Sequence, residues 1–270
     1  MNSPTVLNST PVAPALLEVI YQDAELVAIN KPSGLLVHRS PIDKHETRFT
    51  VQELRNQLGQ HVYPLHRLDK PTSGVLVFAL SRETASFYGQ QFQRHQIKKT
   101  YWALVRGYGP QNMAIDYELR DEADDYAGIN TVGEPKQALT HVKCLKQFEI
   151  PLRVDRYATT RLSLMQCEPV TGRKHQIRRH LKHIGHPIVG DGKYGTNSQT
   201  NEGEGWGAQL GGAISRKLHL HARTLMITHP VSGKSMSFTA LPPEHMANTL
   251  ELFGFNLAYA PEDPFEYYES

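Results

Sequence analysis

Residues 66–80 read HRLDKPTSGVLVFAL, and the second half of that stretch decides the fold. Val75, Leu76, Val77, Phe78, Ala79 and Leu80 form a continuous apolar run of strand length. With no polar alternation, it predicts a central strand buried on both faces. The polar half predicts a turn. Pro71 and Gly74 restrict the backbone, so Asp69, flanked by Arg67 and Lys70, is a charged carboxylate fixed in direction at the mouth of the strand. Spacing alone favours an Asp that merely caps the turn through neighbouring amides. No G-x-S-x-G surrounds Ser73, so a serine nucleophile is not indicated.

On the N-terminal side, residues 17–23 (LEVIYQD) and 25–31 (ELVAINK) read as two short strands ending in the turn signal KPSG. A helix over Thr50–Leu58 precedes VYPLHRLD. On the C-terminal side, residues 81–96 form a helix with Ser81 as N-cap and Ala85, Tyr88 and Phe92 at helical spacing. KKTYWALVRG, 98–107, returns as a strand whose alternation sends Tyr101, Ala103 and Val105 to one face, and either Tyr101 or Trp102 offers a flat surface to a base. Residues 138–148 and 159–167 alternate as strands, residues 171–185 form a helix capped by Thr171 and closed by Gly185, and 196–215 is a long Gly, Asn and Ser loop. A strand pair turning at Ser232-Gly233 and a helix over about 243–253 end the pattern. Many strands with few helices, not alternating one for one, predict an α+β fold with a large mixed or antiparallel sheet.

The 270 residues are 39% hydrophobic and 21% charged, a composition that supports one large globular domain. We place it at 17–257, between a flexible N-terminal tail over 1–16 and an acidic tail over 258–270. No apolar run approaches the roughly 20 residues of a membrane span. The first fifteen residues lack a basic region followed by an apolar one, so the cytoplasm is the expected compartment. Cys144 and Cys167 are expected to be reduced structural thiols.

Net charge is +2, yet the last ten residues hold four acids and no Lys or Arg, leaving +6 on the other 260. Residues 116–125 are acidic too and read as a solvated loop, so positive charge is concentrated elsewhere. VTGRKHQIRRHLKHIGHPIVGD, 170–191, carries Arg173, Lys174, Arg178, Arg179 and Lys182 with His175, His180 and His183, and no acid before Asp191. At helical spacing Ile177, Leu181 and Ile184 share one face, opposite His175, Arg179, Lys182 and His183. Cations in the first turn of a helix oppose its dipole at about 0.3–1 kcal/mol each, which a bound anion offsets. Phosphate, and with it RNA, is the natural anion. A metal is not expected: His180 with His183 and His219 with His221 have ligating spacing, but no HExxH and no carboxylate accompany them. GDGKYG lacks the P-loop pattern, so no nucleotide cofactor is expected either.

Taken together, KPSG at 31–34, HRLDKPTSG at 66–74, KKTYWALVRG at 98–107, TGRKHQIRRHLKHIGHPIVGD at 171–191 and LHLHARTLMITHP at 218–230 resemble the RluA-type pseudouridine synthases. The resemblance spans about 17–255 and implies a pseudouridine synthase fold. That fold has a central mixed, largely antiparallel sheet in two halves, with flanking helices and a catalytic cleft between the halves. It implies that Asp69 is the nucleophilic carboxylate, that Tyr101 stacks on uracil and is a candidate for removing the C5 proton, and that Arg178 pairs with Asp69. Arg67 would enter the RNA stack when the target flips out, with Lys31, His66, Arg173, Lys174, His175, Arg179 and Lys182 as further RNA contacts.

The reaction breaks N1–C1′, turns the uracil, joins C5 to C1′ and removes the C5 proton. With no net redox change and no hydrolysis, it calls for no metal, nucleotide or external reductant. GLLVHRS at 34–40 and TTRLSLMQCEPVTGRKHQIRRHL at 159–181 are similar to the branch that modifies tRNA at uridine 65, and no S4-like domain precedes KPSG. A monomer acting on tRNA is the expectation. The same reaction on 23S rRNA or at another tRNA site, or a catalytically silent RNA-binding protein, are the alternatives. A carboxylate glycosidase would need a second positioned acid, and these motifs offer none.

Overall fold

The computed structural model describes residues 16–39, 45–121, 133–151, 158–195 and 214–257. All but residue 16 of the expected tails, almost all of the 196–215 loop and the end of the 116–125 acidic stretch lie outside the described residues. Among those described, ten strands form one sheet: β1 (Glu18–Gln22), β2 (Leu26–Lys31), β3 (Tyr63–Pro64), β4 (Ser73–Ala79), β5 (Lys98–Arg106), β6 (Asn112–Asp116), β7 (Leu139–Ile150), β8 (Thr160–Pro169), β9 (Leu220–Thr228) and β10 (Ser235–Thr239). Four helices flank them: α1 (Thr50–Leu58), α2 (Arg82–Gln93), α3 (Gln176–His183) and α4 (Glu244–Leu252). The strand order is β1-β2-β4-β9-β5-β8-β7-β6, with β10 on β9 and β3 on β4.

The apolar run becomes β4, and all seven of its residues are buried. Full burial of each large side chain here is worth about 1.5–3 kcal/mol. β2 covers one edge of β4 from Leu26↔Ala79 to Lys31↔Gly74. β3 and β9 share the other edge, β3 at Tyr63↔Ala79 and β9 at the N-terminal end through Ser73↔His221 and Gly74↔Ala222. The β4–β9 contact is parallel and every other pairing is antiparallel. This short seam joins β1, β2, β3 and β4 to the strands from β9 to β6, so the sheet is mixed, largely antiparallel and in two halves.

Gly74 explains how the seam closes. Its φ is +111°, and a Cβ there would lie 2.2 Å from the Ala222 carbonyl oxygen, so two backbones meet where no side chain fits. Beside it the Ser73 hydroxyl meets Nδ1 of the buried His221 at 2.9 Å.

Both faces of β5 are covered. Tyr101, Ala103 and Val105 pack with Leu68, Ile177 and Leu181, whereas Trp102 and Leu104 pack with Met246 and Leu250 of α4. Trp102 therefore points away from α3, with the Arg223 guanidinium 4.6 Å above its ring. Ser81 caps α2 by accepting from the Thr84 amide at 3.1 Å, and Gly59 (φ +69°) ends α1.

One helix start is corrected. α3 begins at Gln176, not Thr171, because the side chain of Gln176 organises residues 171–175 as a turn. Its Oε1 accepts from the Thr171 hydroxyl (2.7 Å) and the Arg173 amide (3.0 Å), and its Nε2 donates to Leu139 O and Thr140 Oγ1 on β7. Arg173 and Lys174 thus precede the helix instead of opposing its dipole from within.

Gly34 (φ +89°) has open space where its Cβ would be. Gly34→Ala is expected to lose only the positive-φ cost of about 1–2 kcal/mol. Gly74→Ala should lose a further roughly 1–3 kcal/mol or more through overlap with Ala222. Chemical denaturation of the two variants checks the difference.

Candidate active site

The turn before β4, the cleft-facing side of β5 and the start of α3 meet in a cleft of about 130 Å³. Its walls include Arg67, Asp69, Thr72, Lys99, Tyr101, Arg173, His175 and Arg178. The turn is closed by the Thr72 amide donating to Asp69 O (3.0 Å), and KPSG braces it from outside. The Gly34 amide donates to Lys70 O at 2.8 Å and the Ser33 hydroxyl to Pro71 O at 2.8 Å.

Lys31, expected to touch RNA, is instead part of this brace. It is fully buried, and its ammonium donates to Pro32 O (2.8 Å), Leu35 O (2.7 Å) and Lys70 O (3.3 Å). Burial pulls its pKa down to about 7, against the pull of Asp69. His66 is half-buried. Its Nε2 accepts from the Val77 amide at 3.3 Å, its ring lies 5.7 Å from Phe92, and burial, with Lys99 nearby, lowers its pKa to about 3. The ring packs against Phe92 with part of its surface still open.

Arg178 sits on the first turn of α3 with its side chain only 7% exposed. Its principal partner is Asp191: Nε donates to Oδ2 at 2.7 Å and Nη2 to Oδ1 at 2.8 Å. The remaining nitrogen, Nη1, lies 3.5 Å from Oδ2 of Asp69, so the expected pairing with Asp69 is the longer of two. Burial opposes the charge of Asp191, but Arg178 and the Lys193 and Tyr194 amides outweigh it and hold the carboxyl below the usual range. The Asp191 partnership was not read from the sequence. A lone acid directly after a long run of cations was the available signal.

Asp69 keeps 30% of its side chain exposed, towards the cleft. Tyr101 is buried in the cleft wall, and burial together with the Asp69 charge pushes its hydroxyl well above the ordinary phenol value. The group is a protonated donor with a ring face; it is poorly suited to removing a proton as phenolate. Lys99, two residues earlier on the same side of β5, was not singled out from the sequence. Burial lowers its pKa, and its ammonium lies 5.9 Å from the centre of the Phe92 ring.

Of the remaining cations, Arg67, Arg173, Lys174 and Lys182 are exposed. Arg67 and Arg173 line the cleft, and Arg173 Nε donates to Gln137 O. Arg179 is half-buried and donates to Arg120 O at 2.9 Å. His180, on the same helix, is buried between Thr140 Oγ1 and Tyr117 O.

Residues 25–183 match the family model described as RNA pseudouridylate synthase. The chain belongs to the RNA pseudouridylate synthase family. It is 46% identical over 243 residues to the tRNA pseudouridine synthase C of Yersinia pestis, covering 89% of this chain and 92% of that one. Against the tRNA pseudouridine synthase C of Pasteurella multocida the identity is 44%, over 89% and 98%. The solved structure of human RNA pseudouridylate synthase domain containing 4 superimposes with a TM-score of 0.66 at 25% identity, covering 88% of this chain and 93% of that one. This pseudouridylate synthase is thus an isomerase acting on RNA, and among its described residues no helix is long and apolar enough to cross a membrane.

Removing one partner of a buried ion pair leaves the other charge uncompensated. Asp191→Asn is accordingly expected to destabilise the synthase by about 3–5 kcal/mol at neutral pH. Because the folded carboxyl titrates below its unfolded value near 3.9, the wild-type advantage is present above that pH and lost as pH falls through the folded value. Urea denaturation of both proteins from pH 7 to pH 3 checks the magnitude and the sign.

Proposed function

We propose that this synthase isomerises uridine to pseudouridine in tRNA, with uridine 65 as its target and Asp69 as the reacting carboxylate. One observation carries the assignment of Asp69: its carboxylate opens on the cleft while Oδ2 sits 3.5 Å from a guanidinium whose other two nitrogens are tied to Asp191. A carboxylate so held meets the nucleoside in a fixed direction, which is how orientation lowers a barrier. The names of the relatives support tRNA as the substrate class, and the resemblance of residues 34–40 and 159–181 to the uridine-65 branch supports the site.

The target base must leave its helix, at a few kcal/mol that stacking and phosphate contacts offset. In this reading Tyr101 walls the uracil and Arg67, exposed at the cleft, enters the gap left in the RNA stack. Arg173, Lys174, Arg179 and Lys182 approach phosphates. The protein acts as a monomer in the cytoplasm.

Asp69→Asn keeps the shape and removes the charge. It should abolish tritium release from 5-labelled uridine in tRNA while leaving affinity for that tRNA unchanged; release at the wild-type rate would remove Asp69 from the reaction. A transcript with cytidine at position 65 should gain no pseudouridine, and modification elsewhere in it would reassign the target. Lys182→Ala should weaken binding and flatten the slope of log affinity against log salt by about 0.7–0.9, the share of one phosphate contact.

A further inference from the structure

His175 occupies a place that its neighbours in sequence do not explain. It stands at the N-cap of α3 with φ +55°, a left-handed conformation uncommon outside glycine, though His, like Asn and Asp, enters it more readily than other side chains. A polar residue at that position usually earns its place by capping the helix, yet the His175 side chain makes no capping hydrogen bond. Its ring is turned into the cleft instead. Nδ1 meets the Tyr194 hydroxyl at 2.9 Å, and Nε2 lies 3.8 Å from Oδ2 of Asp69. A left-handed N-cap residue that caps nothing and aims its ring at the cleft carboxylate points to a functional demand.

The partners determine which nitrogen carries the proton. Nε2 faces a carboxylate, so it bears the hydrogen, and Nδ1 then accepts from the Tyr194 hydroxyl. Tyr194 is itself located by Asp191, whose Oδ1 accepts its backbone amide at 3.0 Å, and its ring lies 5.1 Å from the Arg178 guanidinium. Arg178 and His175 therefore converge on the same oxygen of Asp69 from two sides, both oriented from Asp191. Among the described residues Oδ1 of Asp69 accepts no hydrogen bond.

We propose that His175, as the neutral ring protonated on Nε2, is a positioning residue that fixes Oδ2 of Asp69 and thereby directs Oδ1 at the nucleoside. This rests on Asp69 being the reacting carboxylate. The gap of 3.8 Å exceeds a hydrogen bond, as catalytic contacts often do before substrate tightens them. The groups facing the ring are Asp69 from the turn before β4, Lys174 from the turn before α3, Arg178 from α3, and Lys193 and Tyr194 from the turn after Asp191. Burial lowers the His175 pKa most; Asp69 opposes this, and Arg178, Lys193 and Lys174 reinforce it. The ring is neutral at pH 7. On protonation it becomes a second cation against Asp69 and holds the carboxylate back from the nucleoside, so turnover falls on the acid side with a midpoint below the ordinary imidazole value of about 6.5.

His175→Gln and His175→Asn test the assignment, because the backbone and the chemistry rank them oppositely. Asn suits the left-handed backbone better, but only Gln can place an amide N–H where Nε2 stands. For the full-length synthase on tRNA, His175→Asn should lose roughly 10- to 100-fold in kcat with KM unchanged. His175→Gln should retain most of kcat and lose the acid limb. An Asn variant as active as the Gln variant, or an acid limb that persists in His175→Gln, overturns the proposal. Should the Gln variant fail to fold, His175→Gly, which relieves the backbone, is assayed with and without added imidazole: rescue supports the role and its absence overturns it. The Asp69→Asn result separates the two levels. If that variant is inactive while the His175 variants behave as wild type, only the role of His175 falls; if it is active, the reading of the site falls with it.

Discussion

A guanidinium buried in a protein needs a carboxylate, and the bridge between Arg178 and Asp191 meets that need while leaving one nitrogen to spare. Much of the candidate site hangs from this pair. Asp191 receives the amides of residues 193 and 194, which locates Tyr194, and Tyr194 in turn holds His175. The spare nitrogen of Arg178 and the ring of His175 then meet Asp69 on a single oxygen. Arg178 is thereby not free to follow Asp69; the carboxylate is presented to a cation already held by Asp191.

The second constraint is the seam. Gly74 lets β4 run against β9 with no side chain between the backbones, and Asp69 lies five residues before it, in the turn that leads into β4. The closeness that joins the two halves of the sheet also sets where the carboxylate emerges. KPSG adds a brace from β2, with Lys31, Ser33 and Gly34 all bonded to the loop that carries Asp69. An isomerisation without redox change or hydrolysis asks for little beyond such placement: a carboxylate, a ring wall, and cations for the phosphates.

Much of this was legible in the chain. The apolar run at 75–80, the span of α1, the Ser81 cap and the division of Tyr101 from Trp102 across β5 all follow from spacing, because each depends on residues a few positions apart. The motifs around Asp69, Tyr101 and Arg178 also pointed to one site, and the fold brings them to one cleft. Two side chains stand where neither the resemblance nor the spacing put them. Lys31, implied by the resemblance to touch RNA, is buried, and His175, placed by spacing on the outer face of a helix, comes just before that helix.

Sequence by itself determined the class of fold, since hydrophobic periodicity and turn chemistry act locally and survive without coordinates, and the resemblance of its motifs pointed to the family and to the segments that supply the site. Tertiary structure alone decided which charges are structural and which face the cleft. The buried Lys31 ammonium is received by two carbonyls of its own turn and by Lys70 O from the loop that carries Asp69, and Arg178 is fixed where the turn after α3 delivers the Asp191 carboxylate. Those partners lie 13 to 39 residues away for the contacts of Arg178 with Asp191 and of Lys31 with Lys70, and no local pattern announces them.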